Sequence, residues 1–107
     1  MEKFANWLVT VRKWSTDPTR FGDSQIAYDI IIQAYHLQIS GQNRSMKDVY
    51  RSLGYSESRM RSIVRQLQRD GLLEIGLADD GRRRMLICTP KLEQMMEDYR
   101  EMLRGCP

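Results

Sequence analysis

Residues 56–74 have the sequence SESRMRSIVRQLQRDGLLE. Apolar side chains recur in this stretch at positions 60, 63, 64 and 67, a spacing that places them on one side of a helix. Ser56 suits the N-cap of that helix, and Gly71 suits the left-handed position just after its end. The stretch therefore predicts an amphipathic helix with one buried stripe and one outward face.

A shorter helix is expected immediately before this one. Ser45 and Asp48 resemble a capping box in which Asp replaces the usual Glu, and apolar residues follow at core spacing. Gly54 ends this shorter helix. Two short helices joined by residues 54–56 fit a helix-turn-helix.

A β-hairpin and a last helix are expected after Gly71. Residues 72–77 and 84–88 are predicted to form two strands, and Asp80-Gly81 between them is a strong hairpin turn signal. Thr89-Pro90 then starts a helix over about residues 90–104, because proline is favoured at the first helical position.

Two further helices are predicted near the start of the chain. The first covers about residues 3–14, and the second begins at Asp23 or Ser24 and ends near Gly41. Apolar residues cover so much of the second helix that it must be largely buried. The predicted fold class is mainly α with a small β-hairpin wing, a winged helix-turn-helix in a single domain over residues 1–107, since single cores form at about 100–150 residues.

Local residues within this order resemble the MarR-type transcriptional regulators. Residues 64–74 look like the end of that family's recognition helix and the start of its wing. Asp80-Gly81-Arg82 resembles the family's Asp-x-Arg wing tip. Thr89-Pro90-Lys91 resembles its Leu-Thr-Pro-Lys-Gly exit, with Cys88 in place of the Leu and Leu92 in place of the Gly. The resemblance covers roughly residues 45–91 and implies a DNA-binding regulator in which Asp80 orients Arg82.

The outward face of the 56–74 helix is rich in arginine and has no acidic residue. The major groove of DNA admits a helix, and arginine can bond O6 and N7 of guanine together. The alternative for such a face is a solvated surface. The residues predicted to contact DNA from this helix are Ser58, Arg59, Arg61, Ser62, Arg65, Gln66 and Arg69.

The wing and the start of the preceding helix supply further candidate contacts. Arg82, Arg83 and Arg84 are predicted to enter the adjacent minor groove or to hold its phosphates. Ser45 and Lys47 are predicted to contact the DNA backbone at the amino end of their helix. A run of arginines that only makes the turn soluble is the alternative for the wing.

The distribution of charge along the chain supports DNA binding better than the net charge of the whole chain does. The whole chain has 17 Lys plus Arg and 14 Asp plus Glu, a net charge of +3. Residues 44–84 alone carry ten basic and six acidic side chains. The expected partner is therefore double-stranded DNA, bound by a transcriptional regulator. A winged-helix protein-interaction module, or a DNA-binding component of a phage or replication system, is the alternative function.

The two terminal helices carry apolar stripes that one core of this size need not cover. Pairing across a two-fold axis would bury them and would place two recognition helices about one DNA turn apart. The alternative is ordinary packing within one chain. The residues predicted to form the homodimer are Phe4, Trp7, Leu8, Val11, Met95, Met96, Tyr99, Met102 and Leu103.

Neither an enzyme nor a metal or other cofactor is expected. His36 is the only histidine and lies on the apolar second helix, and Cys88 and Cys106 lack metal-ligand spacing. Cys88 is predicted to be a small buried side chain, whereas redox sensing by Cys106 stays open. No membrane span or secretory leader is found, so we expect a cytoplasmic protein. A small-molecule effector between the dimer arms and the DNA-binding lobe also stays open, and no residue identifies one.

Overall fold

A computed structural model of the chain describes residues 1–15, 25–42, 45–77 and 81–105. Within these ranges it has five helices and one antiparallel two-stranded sheet, which confirms the predicted winged-helix order. None of these helices is both long enough and apolar enough to cross a membrane. The helices are α1 (Glu2–Ser15), α2 (Gln25–Ile39), α3 (Met46–Leu53), α4 (Glu57–Arg69) and α5 (Pro90–Arg104). The strands are β1 (Leu73–Leu77) and β2 (Arg84–Cys88).

Helix α2 is the centre of the core, as its apolar circumference predicts. Ile30, Ile31 and Ala34 are fully buried, and α2 packs against α3, α4 and β2. Burying one such isoleucine stabilises the fold by about 1.5–3 kcal/mol. The predicted cap of α2 at Asp23 or Ser24 lies outside the described residues.

Side-chain caps define the two helices of the helix-turn-helix. The Ser45 hydroxyl accepts a bond from the Asp48 backbone N–H at 3.2 Å and donates to the Asp48 carboxylate at 2.7 Å. Ser56 accepts from the backbone N–H of Arg59 at 3.3 Å and so caps α4. Gly54 ends α3 with φ of 76°, a left-handed conformation that favours glycine. The predicted caps are therefore confirmed.

The Thr-Pro-Lys segment joins the end of α4 to the start of α5. The Thr89 hydroxyl donates to the Gly71 carbonyl at 2.6 Å and accepts from the Leu92 backbone N–H at 3.2 Å. The Thr89 backbone N–H bonds the Leu72 carbonyl at 3.2 Å, and Lys91 Nζ bonds the Asp70 carbonyl at 2.9 Å. These bonds satisfy three carbonyls that α4 and its C-terminal turn leave open.

The hairpin is anchored at its base to the helical core. Leu73 pairs with Cys88 in the register, and both side chains are buried, which confirms the prediction for Cys88. The Gln38 side-chain carbonyl accepts from the Cys88 backbone N–H at 3.0 Å. An isolated β-bridge joins Ser45, just before α3, to Met85 in β2. The base of the wing is thus fixed relative to the helix-turn-helix.

Helices α1 and α5 contact each other within one chain. Trp7 Nε1 donates to the Met102 carbonyl at 3.4 Å, and the rings of Trp14 and Tyr99 lie 4.4 Å apart. The prediction that Met96 pairs with a second copy needs correction, because its side chain is only 5% exposed inside its own core. Part of each apolar stripe is therefore used by the monomer.

Thr89→Val tests the junction between α4 and α5. The substitution keeps the shape of a buried side chain but removes the α5 cap and leaves the Gly71 carbonyl without its hydroxyl partner. We expect the free energy of unfolding in urea to fall by roughly 2 kcal/mol. Thr10→Val is the matched control, because the Thr10 hydroxyl bonds a carbonyl on an exposed face of α1. It should change stability by less than about 0.5 kcal/mol, and equal effects of the two variants would contradict the assigned role.

The half-buried Tyr28 predicts how stability depends on pH. Burial and the 3.0 Å hydrogen bond to Tyr99 raise the pKa of Tyr28, while tyrosines of the unfolded chain titrate near pH 10. Above about pH 10 the unfolded state has lost a proton that the folded state keeps, so the unfolding free energy falls as pH rises. Urea unfolding between about pH 9 and 11 should show this fall, and Tyr28→Phe should make it shallower. An identical slope in the variant would contradict the assignment.

Candidate nucleic-acid interface

Helix α4 has the two faces that its sequence predicts. Met60, Val64 and Leu67 are at most 1% exposed, and Ile63 is half-buried beside them. This stripe packs against α2 and fixes the rotation of the helix about its own axis. The predicted DNA-contacting residues are all exposed: Ser58, Arg59, Arg61, Ser62, Arg65, Gln66 and Arg69.

A cleft of about 510 Å³ lies between α4, the start of α3 and the wing. The wing enters it from one side and α4 from the other, with Lys47 and Tyr50 of α3 also in its lining. The arginines that line it are Arg61, Arg65, Arg82, Arg83 and Arg84. The structure thus brings arginines of α4 and of the wing, which are distant in sequence, into one cationic site.

One carboxylate lies among the described residues that line the cleft. Glu57 accepts a bond from Arg61 Nη2 at 2.7 Å, and the two side chains are 56% and 57% exposed. An exposed pair of this spacing contributes about 0.3–0.5 kcal/mol, so Arg61 can exchange Glu57 for a phosphate at little cost.

Other predicted contacts lie on α4 away from the cleft. Arg69 donates to Gln66 at 3.1 Å, and Gln66 donates to Asp70 at 3.1 Å, so these three side chains form a chain along the surface. Ser58, Arg59 and Ser62 are exposed but do not line the cleft.

Two predicted backbone contacts differ in their surroundings. Lys47 is exposed at the start of α3. Ser45 is only 6% exposed, and its hydroxyl is engaged in the cap with Asp48. Asp80, predicted to orient Arg82, lies outside the described residues, as does Cys106.

The sequence interpretation missed the residue that ties the helix-turn-helix to the core. Tyr55, in the turn between α3 and α4, donates its hydroxyl proton to the Asp29 carboxylate of α2 at 2.5 Å. This hydrogen bond raises the pKa of Tyr55. Gln25 donates to the other carboxylate oxygen of Asp29 at 3.0 Å, so each of the two oxygens accepts one hydrogen bond. The start of α4 is therefore held at a fixed distance from α2.

Tyr50 was also missed. Tyr50 belongs to the hydrophobic core, being 7% exposed, and it also lines the cleft. Its position next to Val49 predicts only the core role. The signal that could have found it is its spacing from Lys47, because residues three apart lie on the same side of a helix.

Residues that were weighed for other chemistry lie apart from this cleft. His36 is exposed on α2, and Cys88 is buried in β2. Among the residues that the structure describes, no group of three or more His, Cys, Asp or Glu side chains could hold a metal ion.

No protein-family model and no curated protein matches the chain, but three solved structures resemble it. The heme sensor protein PefR from Streptococcus agalactiae, solved in complex with heme, has a TM-score of 0.64 at 19% identity, covering 94% of this chain and 68% of that one. A transcriptional regulator of the MarR family from Rhodococcus sp. RHA1 has a TM-score of 0.61 at 20% identity, covering 95% and 68%.

A structure described as a MarR-like transcription regulator from Bacillus cereus ATCC 10987 has a TM-score of 0.58 at 16% identity, covering 94% of this chain and 70% of that chain. The resemblance predicted from residues 45–91 is thereby confirmed for the fold, over nearly the whole chain. The protein is a winged helix-turn-helix with the architecture of MarR-type transcriptional regulators.

Proposed function

We propose that this protein binds double-stranded DNA as a transcriptional regulator, with α4 in the major groove and the wing on the adjacent minor groove or backbone. The observation that carries the proposal is the cleft in which two arginines of α4 face the three arginines of the wing. Acidic phosphates are the natural partner of such a surface, since arginine pairs with phosphate in a bidentate fashion. The fold shared with MarR-type regulators supports the same conclusion.

The two sides of the cleft have different tasks. The major groove is about 12 Å wide and can admit a helix such as α4, so we assign Arg65 to the base edges. The wing arginines lie where the flanking backbone or minor groove would pass, and contacts there position the protein without selecting a sequence.

The proposed assembly is a homodimer. Phe4, Leu8 and Leu103 are 38%, 47% and 40% exposed, although all three are large apolar side chains of the terminal helices. A second copy of the chain would bury them across a two-fold axis. Two α4 helices would then contact half-sites one DNA turn apart.

The proposal extends to location and to a second kind of partner. A regulator of this type acts where the chromosome lies, so we place it in the cytoplasm, and the role requires no catalysis. An effector site between the terminal helices and the DNA-binding lobe is also proposed, because one similar structure, PefR, is a heme sensor. No described residue of this chain identifies the chemistry of such an effector.

Arg65→Ala and Arg83→Ala test the two sides of the cleft separately. Duplexes selected from genomic fragments by the wild-type protein serve as probes in fluorescence anisotropy over a range of salt concentrations. Arg65→Ala should cost about 1–3 kcal/mol on the selected duplex and should relax the choice of base at one position. Arg83→Ala should weaken binding to all sequences alike and should lower the salt slope by about one.

The matched control is Arg100→Ala, an arginine on α5 that lies 3.9 Å from Glu97. This variant removes the same charge outside the proposed interface and should leave both specificity and salt slope unchanged. If the two interface variants behave like Arg100→Ala, the DNA-binding assignment is wrong and the alternative of a protein-interaction module gains support.

Leu8→Glu tests the dimer. Leu8 is 47% exposed, so the substitution should leave the monomer folded while placing a charge in the two-fold interface. Sedimentation should give a mass of two chains for the wild type and of one chain for Leu8→Glu. Val9→Glu, at a neighbouring position of α1 that is 52% exposed, should keep the dimer. A wild-type mass of one chain would refute the proposed assembly.

A further inference from the structure

Tyr50 places a buried and unpaired hydroxyl in the lining of the arginine cleft. The residue is 7% exposed, and its hydroxyl oxygen has no hydrogen-bond partner among the described residues. Leaving a buried hydroxyl unsatisfied destabilises a folded protein, and native structures avoid it in most cases. A polar atom that the free protein leaves unpaired at a binding cleft indicates a ligand that pairs it.

Three charged residues that line the cleft lie close enough to the Tyr50 hydroxyl to influence it. Burial raises the pKa of Tyr50 above its ordinary value; Glu57 also raises it, whereas Arg61 and Arg65 lower it. All three charged residues line the same cleft. The hydroxyl therefore remains protonated at neutral pH. It offers one O–H donor beside two guanidinium groups, a set that suits an anion with several acceptor oxygens.

A backbone phosphodiester meets these requirements. Its two non-bridging oxygens share one negative charge, and each has lone pairs to accept from a guanidinium group and from the phenol. We infer that the Tyr50 hydroxyl donates to a DNA-backbone phosphate that Arg61 also holds in this cleft, while Arg65 faces the base edges. The inference rests on the proposed function and adds to it a specific phosphate-binding residue.

The contribution of this bond falls on binding rather than on folding. In the free protein Arg61 bonds the exposed Glu57 side chain, and the Tyr50 hydroxyl has no acceptor within the described part of the chain. When a phosphate enters, Arg61 exchanges one carboxylate partner for an oxyanion, and Tyr50 gains its first acceptor. Because every nucleotide carries the same phosphate, the gain is independent of sequence.

Tyr50→Phe gives a test with two readouts that move in opposite directions. The substitution removes only the unpaired hydroxyl, so the free energy of unfolding in urea should stay equal or rise. DNA affinity measured by anisotropy should fall about tenfold, the effect of one hydrogen bond to a charged group, on selected and unrelated duplexes alike. A purely structural tyrosine would change stability and leave affinity as it was.

Tyr28→Phe is the matched control. It removes a hydroxyl that is bonded to Tyr99 at 3.0 Å and does not line the cleft. This variant should lose stability and keep its DNA affinity. The contrast separates loss of a ligand contact from loss of a phenol hydroxyl in general.

Duplexes with a single neutral methylphosphonate linkage identify the phosphate. At one linkage in each half-site, the neutral group should weaken binding of the wild type by more than it weakens Tyr50→Phe, because the variant has already lost the contact. Equal losses in both proteins at every linkage would overturn the inference.

The remaining outcomes distinguish DNA phosphate from free phosphate, and failure of the Tyr50 site from failure of the proposed function. If inorganic phosphate raises the melting temperature of the wild type but not of Tyr50→Phe, and both bind DNA equally, the site takes free phosphate, which overturns its assignment to the DNA backbone and leaves the proposed function standing. Equal DNA affinity without any phosphate effect overturns the site and leaves the proposed function standing. A wild-type protein that binds no DNA overturns the proposed function itself.

Discussion

The burial of one apolar stripe on α4 against α2 determines how the rest of the structure is used. Met60, Val64 and Leu67 are almost fully buried, and truncating a core side chain of this size costs about 2–5 kcal/mol. A helix held by such a stripe cannot turn about its axis without exposing it. The arginines on the other side of α4 are therefore directed outward by the core.

Both ends of α4 are also fixed by polar contacts. At its start the turn residue Tyr55 bonds Asp29 of α2, and at its end Thr89 and Lys91 bond the carbonyls that follow the helix. These contacts hold α4 against α2 at its start and against the segment that follows β2 at its end. A surface that is already arranged loses less conformational freedom on binding, which favours affinity. Five arginines, Arg61, Arg65, Arg82, Arg83 and Arg84, are thereby brought together in one cleft.

Most of the fold could be predicted because its signals are local. Ser45, Ser56 and Thr89 each cap a helix where the sequence indicates one, and periodicity identifies the buried face of α4. What could not be predicted depends on tertiary packing. Met96 lies on a stripe that the sequence cannot divide between the core and a partner, and Tyr50 enters the cleft only because the wing folds back beside α3.

The proposed function requires that α4 and the wing form one DNA-binding surface. Titration of the isotope-labelled protein with a selected duplex, followed by backbone amide NMR, tests it most directly. Shifts and line broadening should concentrate at Ser58–Arg69 and at Arg82–Arg84, with little change on the exposed face of α1 around Thr10. Changes that spare either α4 or the wing, or that centre on the terminal helices, would contradict it.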